Sequence, residues 1–418
     1  MKTARFTCFS LLILAGTVFV SRAEPYRTDI NPALLYYRAF LLTPEPMSDA
    51  DRNYLSSKQG KEQKLPERFG QIVANYDSQF LLVRRAAHAT VPCDWGIDLS
   101  DGPNIMLPYL ARAKAVAQAA QVRAVWALQH NRQGDARDEL LAALVLGRNA
   151  GSDGTSIGVL VQLAIEALDY STVAQNFGQF SPETLQQLVN GLDAAPARHM
   201  LAACIPNEKL CTYDWMLRKI LELQKAHPND DAKVMAGFRD CGYVTVMEEI
   251  GDTNFWPRIV AASGGASEGV VRLLRETEPL YPRFAELMTV PQPEYETQAQ
   301  QFSADIHKSQ NPFFIGMALV WEKFQGRARE FRAQAQLAMV HAAVEYKLHG
   351  EAGLKSVMDP FGNGPFAFQR FVFKGVDRGF ILKSAYAGAD APFVMIFVEK
   401  EGPAFQITGP DAGKAISE

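Results

Sequence analysis

A stretch rich in Ala, Leu and Val between Leu107 and Val173 constrains the fold more than any other part of the chain. It opens with apolar residues that recur every three or four positions, a spacing that places them on one face of an α-helix. These residues are Leu107, Leu110, Ala113, Ala117, Ala120, Ala124 and Leu128. The polar residues between them are expected to face solvent, and they are Arg112, Lys114, Gln118, Gln121 and Arg123.

The same stretch predicts a helical hairpin followed by a third helix. Gly134 and Asp135 interrupt the periodicity, since glycine suits a helix C-terminus and aspartate caps a following helix. The second helix carries Leu140 and Leu144, and the third begins at Ser156 or the next residue. The hairpin resembles one tetratricopeptide-type turn, but no second copy occurs at the ~34-residue spacing that such a repeat needs.

The last quarter of the chain changes character. A long helix is predicted over residues 327–348, and a cluster of turn residues follows over 359–365. Short apolar or alternating runs come next, with turn residues between them, and this pattern predicts an antiparallel meander. The predicted strands cover residues 366–373, 379–386, 393–398 and 404–408.

These patterns predict a mainly α fold: a helical-hairpin array, tetratricopeptide-like in one place, with a small α+β C-terminal module of antiparallel strands. Pro291 and Pro293 offer a boundary before the last third of the chain. The predicted organisation is a signal peptide over 1–23, a helical domain over 24–290, a linker with connecting helices over 291–325, and the C-terminal module over 326–418.

The N-terminus carries a pattern typical of export. Lys2 and Arg5 precede an apolar run over residues 6–20, and Ser21-Arg22-Ala23 matches the small-x-small rule of signal peptidase. The alternative is an uncleaved membrane anchor, which is disfavoured because a span needs about 20 apolar residues. No later stretch is long and apolar enough to cross a membrane. We therefore expect an exported protein, periplasmic or secreted, with no membrane span after signal cleavage.

The charge balance bears on the kind of partner. The formal net charge is −4, and removal of Lys2, Arg5 and Arg22 with the signal peptide takes it to −7. Because nucleic-acid binding relies on clustered basic residues that neutralise phosphates, nucleic acid is not expected as a partner.

Four cysteines remain after signal cleavage, and an even count in an oxidising compartment permits two disulfides. They are Cys93, Cys204, Cys211 and Cys241. Cys204 and Cys211 are close in the sequence, and a turn at Pro206-Asn207 is expected to bring them together. That pairing leaves Cys93 with Cys241. Zinc binding is the alternative for the four thiols, although their spacing is not that of paired C-x-x-C motifs.

The loop from Cys93 to Pro103 is dense in Asp and Gly and holds the candidate binding residues. They are Asp94, Trp95, Asp98 and Asp101. Three carboxylates suggest a divalent-cation site, but their spacing does not follow the order of a calcium-binding loop. The favoured interpretation is a structural connector whose Asp side chains accept from backbone N–H groups in turns. No metal site is therefore predicted.

Two resemblances follow from these motifs. Cys93-Asp94-Trp95-Gly96, Gly134-Asp135-Ala136 and the run Leu160–Glu166 resemble a family of uncharacterised exported bacterial helical proteins, over about residues 31–173. This resemblance implies a helical fold and export, and it carries no catalytic residues. The C-terminal helix, Asp359-Pro360-Phe361 and the small sheet weakly resemble the C-terminal module of pseudopilins, without their membrane-spanning initial segment.

Neither a catalytic motif nor a phosphate-binding loop is present, and no cofactor is predicted. We therefore expect a non-enzymatic interaction or scaffold protein of the cell envelope, with a protein partner. The rival hypothesis is an envelope hydrolase whose carboxylates and histidines meet only in the fold. A hydrolase site would bring together, in one concave pocket, two or more of Asp94, Asp98, His130, Glu166 and His199, with perturbed pKa values.

Overall fold

The computed structural model describes residues 26–45, 47–57, 64–249, 251–315, 325–387, 392–402, 405–408 and 412–414. The predicted signal peptide lies outside the described residues. Within them the chain is mainly helical, with a three-stranded antiparallel sheet near the C-terminus. The predicted fold class is confirmed.

The elements follow one another in chain order. The first eight helices are α1 (Pro32–Leu41), α2 (Asp49–Ser56), α3 (Arg68–Asn75), α4 (Asp77–Ala87), α5 (Pro108–Gln129), α6 (Gln133–Ala150), α7 (Ser156–Gln175) and α8 (Pro182–Ala194). The later helices are α9 (Leu201–Lys209), α10 (Trp215–Ala226), α11 (Asp231–Arg239), α12 (Tyr243–Glu249), α13 (Phe255–Ser263), α14 (Ser267–Thr277), α15 (Leu280–Leu287), α16 (Gln292–His307) and α17 (Gly326–Ser356). The strands are β1 (Ala367–Phe373), β2 (Val376–Ala387) and β3 (Pro392–Val398).

Local capping explains several helix starts. The side chain of Asn31 accepts from Ala33 N–H, that of Thr155 from Gly158 N–H, and that of Ser181 from Thr184 N–H. Each of these oxygens satisfies an N–H that has no partner in the first helical turn. The predicted start at Ser156 is therefore confirmed. Asn31 and Ser181 are favoured N-cap residues, each followed by a proline at the first helical position, so the sequence also predicts helix starts after them, and both are confirmed.

The turn of the central hairpin lies three residues earlier than the sequence indicated. Helix α5 ends at Gln129, and Asn131 takes the left-handed conformation with φ 58°. Gly134 is instead a residue of the first turn of α6. Asparagine tolerates positive φ better than most residues, so Asn131 ends the helix in the manner usually reserved for glycine.

One apolar core joins the central helices to the sheet. Tyr170 and Phe177 lie in it with Phe380 and Phe397 of the sheet, and all four are buried. The ring of Phe177 is 5.7 Å from that of Phe380 and 5.3 Å from that of Phe397, both in edge geometry. The predicted C-terminal module therefore shares its packing with the helices before residue 194.

The sheet has the order β1-β2-β3, with both pairs antiparallel. The predicted fourth strand at 404–408 is wrong for the described part of that segment, which has isolated bridge residues at Phe405 and Thr408 and no continuous strand. Thr408 bridges to Met395, and Ile396 N–H donates to Ile407 O at 2.8 Å. The physical reason is that Phe405 packs on the outer sheet face, with its ring 4.6 Å from that of Phe371. The segment thus pairs with the edge strand β3 only at isolated points, and its aromatic ring covers the outer face of the sheet.

Helix α17 covers the inner face of the sheet. It is interrupted at Gly350, whose φ of 64° and ψ of −147° are not helical. The predicted end of the long helix at Gly350 is therefore confirmed as a break, although helical turns continue to Ser356.

Helix α7 is the central element of the core. The expectation that no stretch after the signal peptide is long and apolar enough to cross a membrane is wrong by length and composition, because α7, alone among the helices of the described chain, meets both criteria. However, 61% of its apolar segment is buried inside the structure. It also carries Glu166 and Asp169, both buried. Such burial is typical of a core helix, and the exposed residues of α7 include Ile157 and Ala164.

Candidate functional site: a charged cleft between helical hairpins

The aspartates of the loop after Cys93 lie in backbone turns. Asp94 Oδ1 accepts from Gly96 N–H at 2.8 Å, and Asp98 Oδ1 accepts from Ser100 N–H at 2.9 Å. Asp101 is exposed. Within the described residues, no group of three or more His, Cys, Asp or Glu side chains could hold a metal ion. These contacts are those of the structural connector that the spacing favoured.

Trp95 is an anchor of the same loop and not a surface residue. Its indole N–H donates to Asn149 O at 2.6 Å, and its ring stacks on Tyr109 with centroids 4.2 Å apart. It is 5% exposed. A ligand could not reach this ring without displacing the core around it.

All four described cysteines are free thiols in the structure. The turn expected at Pro206 is wrong, because α9 runs through it. Contacts to the start of α7 hold this segment helical: Asn207 Nδ2 donates to Gly154 O, and Glu208 Oε1 accepts from Ser156 N–H. Cys204 and Cys211 are seven positions apart on α9 and the π-helical turn Leu210–Asp214 that continues it, which is about 10 Å at ~1.5 Å per residue.

A separation of about 10 Å exceeds the Cα–Cα distance of ~7 Å that a disulfide tolerates. Cys204 and Cys211 could therefore be bridged only after the helix opens. Burial also raises the pKa of both thiols to about 12, which keeps them protonated and unreactive. The pairings Cys204–Cys211 and Cys93–Cys241 stay predictions, which non-reducing peptide mapping would test.

The five residues named for a hydrolase site lie apart. Asp94 and Asp98 are exposed in their turns, and His130 lies on the exposed end of α5 against Trp126. Glu166 is inaccessible to solvent and holds Arg148 and Arg198. His199 follows Arg198, and its N–H donates to Gln162 Oε1. The structure brings only the last two near one another, and Glu166 is already paired.

A cleft of about 510 Å³ lies between the α3–α4 pair and the α5–α6 hairpin. Gly70 and Trp126 meet at its wall, because a Cβ on Gly70 would lie 2.8 Å from Trp126 Cζ2. The absence of a side chain at Gly70 therefore lets α3 approach α5 closely. The rest of the lining is mainly charged.

Glu139 is the centre of the charged lining. Its Oε1 accepts from Arg84 Nη1 at 2.6 Å, from Arg123 Nε at 3.0 Å and from Arg123 Nη2 at 2.8 Å. The remaining Nη1 of Arg123 donates to Val73 O at 2.6 Å and to Asp77 Oδ1 at 2.9 Å. The Arg123 guanidinium also lies over the ring of Phe80, with its carbon 4.6 Å from the ring centre. One buried cation thus ties four helices together.

The expectation that Arg123 faces solvent is wrong, and the hairpin geometry explains why. Arg123 and Glu139 are equally far from Asn131, at which the hairpin turns. Residues equidistant from the turn of an antiparallel helix pair lie opposite each other, so this pairing follows from the turn position. The apolar stem and delocalised charge of arginine tolerate such burial when each of its nitrogens has an acceptor, as here.

The lining contains carboxylates and guanidiniums in nearly equal number. The acids are Asp77, Asp135, Asp138 and Glu139, and the bases are Arg84, Arg123 and Arg132. Burial raises the pKa of Glu139 above its ordinary value, and the Arg123 and Arg84 guanidiniums oppose that shift. Since these ion pairs fix the side chains before any ligand arrives, the cleft offers pre-organised polar groups, as binding sites require.

No protein-family model, curated protein or solved structure matches the chain. The two resemblances drawn from the sequence motifs therefore stay expectations.

Proposed function

We propose that this protein is exported and serves as a non-enzymatic interaction protein of the cell envelope, binding a segment of a protein partner in the cleft. The observation that carries the proposal is the cleft itself, whose charged walls are held in place by the contacts of Arg123 and Glu139. Helical arrays commonly bind partners in such inter-helix grooves.

The state of the charged groups favours binding over catalysis. Arg123 uses all three of its guanidinium nitrogens on protein acceptors, and Glu139 Oε1 takes three donors. A general acid or base has to exchange a proton with a substrate within hydrogen-bond reach. Groups locked in mutual ion pairs are better suited to recognition by fixed charge.

The hydrolase remains the second candidate because of one observation. Glu139 lies in a cleft with three other carboxylates, and burial raises its pKa, as is typical of an acid that donates a proton. If this candidate is right, Glu139→Gln abolishes turnover of an envelope substrate without lowering partner capture.

The proposal is tested with a substitution that fills the cleft. Ala74 is exposed and lines it, whereas its neighbour Asn75 is exposed and does not. Immobilised full-length protein is incubated with envelope extract, and the retained proteins are identified by mass spectrometry. We expect Ala74→Trp to lose the partner that wild type retains, while Asn75→Trp keeps it. Equal retention by both variants would show that the cleft is not the binding site.

A further inference from the structure

The cleft has a buried acceptor that no donor of the described chain satisfies. Glu139 Oε1 takes three hydrogen bonds, whereas Glu139 Oε2 has no partner there. The side chain is only 5% exposed and lines the cleft. An unsatisfied buried carboxylate oxygen is costly, so a donor supplied by a ligand would be strongly favoured at this position.

The rest of the lining also offers acceptors in preference to donors. Four carboxylates face three guanidiniums, which leaves a formal charge of −1. Each nitrogen of Arg123 donates to a protein acceptor. The carboxylates of Asp135 and Asp138 are about half exposed, and each is paired through one oxygen, Asp135 Oδ2 with Arg132 and Asp138 Oδ1 with Arg137, which leaves Asp135 Oδ1 and Asp138 Oδ2 as the oxygens offered to a ligand. An anionic ligand would therefore meet excess negative charge, and a cationic one would meet its complement.

We infer that the cleft takes a basic side chain, a lysine ammonium or an arginine guanidinium, from an extended segment of the partner. The inference rests on the proposed function, in which a protein partner occupies this cleft. The cationic head donates to Glu139 Oε2 and to the exposed oxygens of Asp135 or Asp138. Its alkyl stem lies against Val73 and Ala127, two of the apolar residues of the lining.

The test uses three blocked pentapeptides that differ only in a central Lys, Gln or Glu, titrated calorimetrically into full-length protein. We expect the Lys peptide to bind, the Gln peptide to bind at least about tenfold more weakly, and the Glu peptide not to bind. Glu139→Gln should weaken the Lys peptide about tenfold. The matched control is Glu286→Gln, at an exposed position on α15, which should leave the affinity unchanged.

A second variant keeps the inference falsifiable if Glu139→Gln folds poorly. Asp138→Asn changes a half-exposed carboxylate, and it should weaken the Lys peptide about threefold with the fold intact. Equal binding of the three peptides would overturn the inference, and so would a neutral oligosaccharide that binds the cleft while the Lys peptide does not. If Ala74→Trp still abolishes partner capture in that case, only the basic-residue inference fails. If Ala74→Trp captures the partner normally, the proposed function fails with it.

Discussion

Two arginine–glutamate–arginine clusters lie on the central helices, one at the cleft and one inside the core. In the cleft cluster, Arg84 and Arg123 both donate to one oxygen of Glu139. In the core cluster, Arg148 lies 3.3 Å from Glu166 Oε1, and Arg198 Nε donates to Oε2 at 2.8 Å. Both oxygens of Glu166 are therefore paired, while one oxygen of Glu139 is left over.

The clusters also differ in their contact with solvent. The side chain of Arg84 is 36% exposed, whereas those of Arg148 and Arg198 are 6% and 14% exposed. Arg148 further donates to Pro196 O at 2.7 Å, which ties the chain after α8 to the hairpin. A buried charge network can therefore serve either structure or recognition. The network that is closed on itself holds the fold, and the one with a free acceptor at a cleft can bind.

The largest effect is expected from breaking the core cluster. Glu166→Gln leaves Arg148 and Arg198 as buried cations without their counter-charge. We expect a loss of about 3–5 kcal/mol in the free energy of unfolding, measured by urea titration. The control is Arg68→Gln, which removes an ion pair to Asp51 that is half exposed, and it should change stability by less than about 1 kcal/mol. Similar losses in the two variants would contradict the assignment of Glu166 as a structural residue.

A second expected effect in the core is a pH dependence of the free energy of unfolding. Asp169 is fully buried beside Glu166, neither carboxylate oxygen has a partner within the described chain, and burial raises its pKa well above the ordinary value. The folded state thus keeps a proton that the unfolded chain releases, and this contribution to stability is lost as pH rises through the folded pKa. Asp169→Asn stays neutral, so it should gain on wild type as pH increases.

The gain of Asp169→Asn should approach about 1.4 kcal/mol per pH unit between the ordinary carboxyl pKa and the raised one. Urea titrations of both proteins between about pH 5 and about pH 8 measure it. Burial also raises the pKa of Asp153 and Glu208, but these groups are common to both proteins and cancel in the difference. A constant difference across that range would mean that Asp169 is already ionised in the folded protein.

Breaking the cleft cluster should cost less stability. Glu139→Gln keeps the shape of the side chain, and Arg84 can turn its charge to water. Arg123 also keeps its bonds to Val73 O and Asp77. We expect a loss of about 1–3 kcal/mol in the free energy of unfolding, below that of Glu166→Gln under the same conditions. A larger loss of stability in Glu139→Gln than in Glu166→Gln would contradict the expected difference between the two clusters.

The smallest effect is expected at the loop after Cys93. Asp98→Ala removes an acceptor for Ser100 N–H at an exposed turn, so a slight fall in melting temperature is expected. Partner capture should be unchanged, because Asp98 does not line the cleft. Loss of capture in this variant would restore the loop as a binding site.

The sequence-based predictions were accurate where the deciding contacts lie within a few residues of one another, and less accurate where the contacts join distant residues. Helix starts at Asn31 and Ser181 depend on a cap residue and the next few positions, so they could be predicted. The position of Arg123 depends on a partner 16 residues away. With the hairpin turn placed at Gly134, Arg123 would lie opposite Val145, and no charge pairing is visible. With the turn at Asn131, Glu139 lies opposite Arg123, so the position of the turn is the signal that could have revealed the pair.

Interactions between distant residues also explain why the predicted fourth strand and the turn predicted between Cys204 and Cys211 are wrong. Residues 404–408 have the alternation of a strand, but the ring of Phe405 packs on the sheet face around Phe371. Pro206 suggested a turn, but the contacts of Asn207 and Glu208 to α7 keep the segment helical. Long-range packing decided both outcomes, and neither contact is visible in a local pattern.

Binding measured side by side on Glu139→Gln and Glu166→Gln tests whether the cluster at the cleft serves recognition while the cluster in the core serves the fold. The affinity for the captured partner is determined for each variant at a temperature where both are folded, with the folded fraction taken from the urea curves. We predict that Glu139→Gln loses about tenfold in affinity despite its smaller stability loss, and that folded Glu166→Gln binds as wild type does. Unchanged affinity in Glu139→Gln together with weakened binding in folded Glu166→Gln would contradict the account.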